Sequence, residues 1–143
     1  MRYYPINLDM RGRNALVVGG GAVGSRKVQT LLRAGARVTV VSPQVTAAIR
    51  SLAGTGELTW HERPYRASDM EAMFLVFSAT DDPDLNHRIE ADATQHHVLC
   101  NFADAPDRGH FILPSIVARG DLLVSISTSG KSPAVARRLR QEM

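Results

Sequence analysis

Cys100 is the only cysteine in the chain. No intrachain disulfide and no cage of several thiolates around zinc can form, and the role left to this residue is that of a buried structural thiol. Aromatic residues are scarce at 6%, and the basic-aromatic interleaving of a nucleic-acid platform is absent. Long apolar runs are missing too. Nowhere does the chain approach the ~20 apolar residues that a membrane-spanning helix needs, and the opening MRYYPINLDMRGR lacks the apolar core of a signal peptide. Internal repeats and low-complexity segments are likewise absent. The expectation is a soluble, cytoplasmic protein without a membrane or nucleic-acid partner.

What the chain has is enough to fold. Its 143 residues are 44% hydrophobic and 22% charged, which supports one domain with its own core and a small appendage, and argues against disorder. The formal charge is +3 and the pI about 9.5. Arg108, Arg119, Lys131, Arg137, Arg138 and Arg140 make the last quarter basic. Without the aromatic component, that bias points to an anionic small-molecule substrate rather than to nucleic acid.

Residues 14–18 read as a short buried strand. It breaks at Gly19-Gly20-Gly21 before a helical pattern carried by Val23, Val28, Leu31 and Leu32, which Gly35 closes. A β-branched strand is predicted over residues 37–41, after which Ser42-Pro43 is expected to open a second helix. Further strands are predicted over residues 58–62, 74–78 and 98–102, with Asp82-Pro83 as the cap and first turn of a helix ending near Gln95. Strands alternating with helices of this length imply right-handed crossovers. The fold class is therefore α/β, a Rossmann-like doubly wound parallel sheet over residues 1–110.

Over residues 111–143 the pattern changes. Two strand-like runs, 111–118 and 122–127, flank Arg119-Gly120-Asp121, which reads as a hairpin turn. The turn Thr128-Ser129-Gly130-Lys131-Ser132-Pro133 then leads into an amphipathic helix. This short β-hairpin and helix expose apolar faces that want a partner, so a homodimerisation segment is expected. Met143 falls inside the helical pattern with no C-cap signal, which suggests a longer parent protein.

Residues 19–24 fit the G-x-G-x-x-G dinucleotide fingerprint, between a strand and a helix as the motif requires. Gly19 permits the tight turn, Gly21 lets the backbone approach a pyrophosphate, and Gly24 allows close packing of helix on strand. The helix start beyond them offers N–H groups and a positive dipole end. The acidic residue that commonly follows about twenty positions later is missing. Val41-Ser42-Pro43-Gln44 stands there instead, leaving Ser42 or backbone groups to meet the ribose. No arginine waits for a 2′-phosphate, which favours NAD over NADP.

Ligands of doubly wound sheets bind outside the carboxyl ends of the strands. Thr80 and Asp104 fall there, past the fourth and fifth strands. Asp104 has two readings, a general base near the reactive end of the cofactor and an Asx-type turn residue ahead of Pro106. Asp81, Asp82 and Asp84 read as capping and first-turn acids. His96-His97 read as solvated, and His61, His87 and His110 lack metal-ligand spacing, so no metal site is expected. Gly130-Lys131-Ser132 resembles the end of a P-loop, but Ser125 stands where that motif needs glycine. Ser132 is left as either a helix cap with Pro133 at the first helical position, or a carboxylate contact.

The ensemble of Leu16 to Gly21 with Arg26-Lys27, Ala79-Thr80-Asp81-Asp82, Asn101 with Asp104-Ala105-Pro106, Phe111-Ile112-Leu113-Pro114-Ser115-Ile116, and Ser127 onward to Pro133 closely resembles the siroheme synthase N-terminal family. The resemblance runs through nearly the whole chain, including Tyr4-Pro5-Ile6. It implies a precorrin-2 dehydrogenase that uses NAD to form sirohydrochlorin, and in many members a ferrochelatase with Fe2+ as substrate. It makes Asp104 the essential aspartate. Gly21, Ala22 and Val23 become the pyrophosphate turn, and Pro43 and Gln44 the adenosine contact. Thr80, by its place past the fourth strand, is read as a cofactor contact or a loop residue, and Asn101, at the end of the fifth, is read as the neighbour of Asp104 and a further cofactor contact. It also implies homodimers formed through the strands after the Rossmann unit. A polycarboxylate tetrapyrrole gives a use to Ser127, Thr128, Lys131 and Ser132 as charge-assisted donors. Members commonly continue into a small helical domain. The rival reading, from the bare Rossmann unit and its appendage, is a non-catalytic NAD-sensing regulatory module.

Overall fold

The computed structural model describes residues 1–129 and 131–143. Gly130, which the sequence puts in the turn before the last helix, lies outside the described residues. Two units emerge, one of residues 7–110 and one that joins residues 1–6 to residues 111–143.

In the larger unit, β1 (Asn14–Gly20), α1 (Ala22–Arg33), β2 (Arg37–Val45), α2 (Ala47–Gly54), β3 (Thr59–His61), β4 (Leu75–Ser78), α3 (Pro83–Gln95) and β5 (Leu99–Phe102) follow in order, with one 3-10 turn at Ala67–Met70. All five strands are parallel, in the order β3-β2-β1-β4-β5. The chain winds outward from β1 to β3, then crosses back to add β4 and β5 on the other side of β1. The order of strand addition thus reverses between β1 and β4, and a crevice opens at their carboxyl ends.

The central strand is apolar on both faces, as a sheet covered by helices on both sides demands. Ala15, Leu16, Val17 and Val18 are all buried. Leu16 and Val18 share one core with Val76, Ile89, Ala93 and Phe102, under α3. The alternating residues belong to the opposite face, where α1 packs on β1 and β2 through Val28 and Leu31.

Helix α3 starts as its sequence predicts. The Asp82 carboxylate accepts from the N–H groups of Asp84 (3.0 Å) and Leu85 (3.3 Å), and Pro83 holds the first helical position. Helix α1 starts differently. Gly21 is its N-cap, no side chain caps it, and no acid stands in its first turn.

Two expectations need correction. Ser42-Pro43 does not open a helix; β2 continues to Val45, and α2 begins at Ala47 with Thr46 as its cap, its Oγ1 accepting from Ile49 N at 3.3 Å. The reason is tertiary. β1 pairs in register as far as Val18 with Val41, then slips to pair Gly20 with Val45, so Pro43 sits in a bulge where its missing N–H costs no ladder bond. The strand expected from residue 111 begins only at Ser115. Its partner ends at Ile126, opposite Ser115, and Pro114 has no N–H to extend the pairing.

The smaller unit pairs β6 (Ser115–Arg119) and β7 (Leu122–Ile126) antiparallel, with α4 (Pro133–Glu142) packed on both. Gly120 opens the two-residue turn at φ +57°, the position and sign a type II′ hairpin requires. Ser132 and Pro133 hold the N-cap and first helical positions, yet the Ser132 hydroxyl makes no capping bond. Ile116, Leu122, Leu123, Val135 and Leu139 remain exposed, Leu122 by 61%. Among the described residues, no helix is long and apolar enough to cross a membrane.

Candidate functional site

A cleft of about 790 Å³ lies at the carboxyl edge of the sheet, lined by residues 19–21, 42–46, 79–81 and 103–104 together with Val23. It falls within the size range of small-molecule and cofactor sites.

Glycine dominates one wall and the helix start behind it, for four separable reasons. Gly19 takes φ +100°, and a Cβ there would lie 2.9 Å from the Ala79 carbonyl oxygen. At Gly20 a Cβ would meet Val45 Cγ1 at 2.5 Å and the Gln44 oxygen at 2.7 Å. At Gly24 it would lie 2.1 Å from the Gly19 oxygen, so the first turn of α1 can approach β1 only because this side chain is missing. Nothing lies within 4 Å of the Cβ position at Gly21. The first three are required by the protein's own packing. Gly21 is not, and its missing side chain leaves open a cradle at the uncapped start of α1, where N–H groups and the helix dipole favour an anion. The residues present fit a dinucleotide pyrophosphate.

The opposite lip is held by Ser42. Its hydroxyl accepts from Gly20 N (3.1 Å) and donates to the Gln44 carbonyl (2.6 Å), while Thr46 N donates to Gly20 O (2.9 Å). The bulge of β2 and the glycine turn are thereby clasped together. Ser42, read as a ribose contact, has its hydroxyl engaged on both sides by the protein. Pro43 and Gln44 line the cleft beside it.

Beyond β4, Ala79 N donates to Val18 O (2.8 Å), and Thr80 Oγ1 accepts from Asp82 N (3.2 Å). Beyond β5, Ala103 N donates to Ser78 O (3.0 Å), which sets Asp104 on the cleft rim. One residue ties these loops together. Asn86, on α3 and 1% exposed, donates through Nδ2 to Thr80 O (3.1 Å) and to Asp104 Oδ1 (3.2 Å). Its Oδ1 accepts from the Ser78 hydroxyl, itself buried.

The cleft therefore brings together Gly19, Gly21, Val23, Ser42, Pro43, Gln44, Thr80 and Asp104. Three other anticipated cofactor contacts stand elsewhere. Gly24 is packed against β1, Ala22 is outside the lining, and Asn101 is buried in β5 opposite Phe77. The hydrogen-bonding neighbour of Asp104 is Asn86 rather than Asn101. Sequence reasoning missed Asn86 because an asparagine in an otherwise polar helical stretch carries no mark of burial. It also missed Gly20, a free position in the fingerprint. The signal for Asn86 was its place in the first turn of α3, directly beneath the β4 loop.

Ser127, Thr128, Lys131 and Ser132 lie in the smaller unit, between β7 and the first turn of α4. There Ser129 N donates to Ser127 Oγ (3.1 Å), and Ser132 N donates to Thr128 Oγ1 (2.9 Å). Cys100 is buried in β5, and burial, reinforced by the Glu90 charge, pushes its thiol up to about 11. That keeps it protonated and inert at neutral pH.

Residues 6–115 match the family model described as "Putative NAD(P)-binding", and residues 119–143 match the one described as "Sirohaem biosynthesis protein central". The chain is 40% identical over all 143 residues to a siroheme synthase of Photorhabdus laumondii and 42% identical to one of Pseudoalteromonas atlantica. It spans 30% and 31% of those relatives' lengths. Among solved structures, the precorrin-2 dehydrogenase SirC superposes with a TM-score of 0.86 at 32% identity, over 98% of this chain and 69% of that one. A D-lactate dehydrogenase of Escherichia coli superposes at 0.53 with 20% identity, over 66% of this chain and 29% of that one, a likeness of fold alone.

Proposed function

The chain belongs to the NAD(P)-binding family that its residues 6–115 match, and from that premise we propose that it oxidises precorrin-2 to sirohydrochlorin with NAD as the acceptor, a step of siroheme biosynthesis. The observation that carries this reading is that one cleft holds both an anion cradle at Gly21 and a carboxylate, Asp104, on its rim.

In this reading the backbone at Gly21 and the start of α1 bind the pyrophosphate. Pro43 and Gln44, held by the Ser42 clasp, flank the adenosine end, where backbone groups take the place of the missing acid. Thr80 borders the same cavity. Bound NAD supplies a site for the hydride that leaves the macrocycle. The Asp104 carboxylate accepts the proton, because a carboxylate at hydrogen-bond distance from a carbon acid can act as its base. Holding substrate and base together supplies much of the acceleration.

The smaller unit has two roles in this account. Ser127, Thr128, Lys131 and Ser132 bind substrate carboxylates by charge-assisted hydrogen bonds, and the exposed apolar side chains of β6, β7 and α4 form a homodimer interface. A subsequent insertion of Fe2+, with iron as substrate, would draw on the same Asp104. A reducing cytoplasmic setting suits the lone thiol of Cys100.

Mixing the protein with NAD and enzymatically generated precorrin-2, with and without Fe2+, tests the reading in one set of absorbance traces. The expected result is NADH formation together with the sirohydrochlorin spectrum, the latter changing further only if Fe2+ is inserted. Dinucleotide binding with no turnover and no tetrapyrrole affinity would overturn it in favour of an NAD-sensing module.

A further inference from the structure

We propose that Asn86 is the positioning residue of the dehydrogenation, holding the Asp104 carboxylate and the Thr80 loop in one fixed relation; the inference rests on the reading of Asp104 as the base.

Asn86 is almost completely buried, and a buried amide needs partners for both of its ends. Its surroundings leave it one orientation. The Thr80 carbonyl and the Asp104 carboxylate can only accept, so the NH2 group must face them, at 3.1 and 3.2 Å. The Ser78 hydroxyl donates to the amide oxygen on the other side. A flipped amide would set its oxygen against two acceptors and lose both of those bonds, keeping at most the contact to the Ser78 hydroxyl, which can accept as well as donate. The anchor is stiff at each end, since Ser78 belongs to β4 and Asn86 to α3.

A purely structural amide would serve its purpose by bonding backbone alone. Asn86 instead sends one of its donors out of the core to an exposed carboxylate eighteen residues away in sequence. Its other donor holds the carbonyl of Thr80, which lines the cofactor cleft. One side chain thus couples the loop that borders the cofactor to the carboxylate that receives the proton. It engages Oδ1 of Asp104, so that the second oxygen is the one offered to substrate. Misplacing a catalytic group by about 1 Å can cost on the order of 100-fold in rate, the scale on which such a strut matters.

A double-mutant cycle in the full chain tests this. Asn86→Asp keeps the shape but turns the donor into an oxygen that faces two acceptors. Ser78→Ala is the milder change that releases the far end of the amide without altering the residue that touches Asp104. The expected result is a fall in kcat of roughly 10- to 100-fold for Asn86→Asp and a smaller fall for Ser78→Ala, with the KM for precorrin-2 and the Kd for NAD changed less than about threefold. In an Asp104→Asn background both losses should shrink severalfold, because the part of the effect that passes through Asp104 has nothing left to position. Equal proportional losses in both backgrounds would overturn the proposal and leave Asn86 a structural residue, and so would an undiminished kcat in both variants. If Asp104→Asn itself left turnover unchanged, the reading of Asp104 as the base would fall, and this inference with it. Should Asn86→Asp not fold, Ser78→Ala carries the same comparison alone.

Discussion

Gly21 and Gly24 occupy the same motif and do opposite things. At Gly24 an added methyl would run into the backbone of Gly19, whereas at Gly21 it would meet no protein atom. Gly24→Ala should therefore destabilise the fold by about 1–3 kcal/mol through overpacking. Gly21→Ala should leave the melting temperature unchanged and weaken NAD binding about tenfold or more, because the methyl occupies the space a phosphate would take. Thermal melts and NAD titrations of the two variants check both halves. The glycine pattern was legible from sequence because backbone demands of this kind are local. The difference between Gly20, needed against Val45, and Gly21, needed by a ligand, was not, since it depends on what stands across the turn.

Among the elements, those with strong local signals came out as their sequence reads. α3 has its Asp82 cap and Pro83, and α1 ends where Gly35 N turns back to bond Leu32 O. β2 ran on past Pro43 because its end is decided by pairing with Gly20, information that residues 37–45 do not contain. The connection from β3 to β4 is held by charge. Arg63 donates to both carboxylate oxygens of Asp69, and Arg66 N donates to the same carboxylate at 2.9 Å. Burial pushes the Asp69 carboxyl up, but the bonds from Arg63 and Arg66 outweigh it and the net shift is downward. The ionised form is thus favoured in the folded state, and its stabilisation is present above the unfolded value near 3.9 and lost as pH falls through the lowered folded value. Asp69→Asn should cost about 1–2 kcal/mol at neutral pH, and the gap to the wild type should narrow as pH is taken below about 4. Melting temperatures of the two proteins along a pH series read this directly.

At the scale of the whole molecule, the parallel sheet was legible because its strands are continuous apolar runs separated by helical periods, and its order puts the crevice between β1 and β4. Asp104 was legible as a residue at that edge. Its support by Asn86 was not, because contacts between α3 and the loop after β5 leave no trace in either segment alone. In the proposed homodimer the exposed apolar side chains of the smaller unit would meet a second copy of the chain. Leu122→Asp, on a residue 61% exposed, should shift sedimentation from dimer toward monomer and leave the melting of the larger unit unchanged.

Asp104 stands at the centre of the account, and substituting it tests the account most directly. NADH formation from precorrin-2 should be measured for Asp104→Asn beside the wild type, with NAD affinity titrated for both. Loss of a general base typically costs about 100- to 10,000-fold, so kcat should fall by that much while the Kd for NAD stays within about twofold. Undiminished turnover in Asp104→Asn would contradict it.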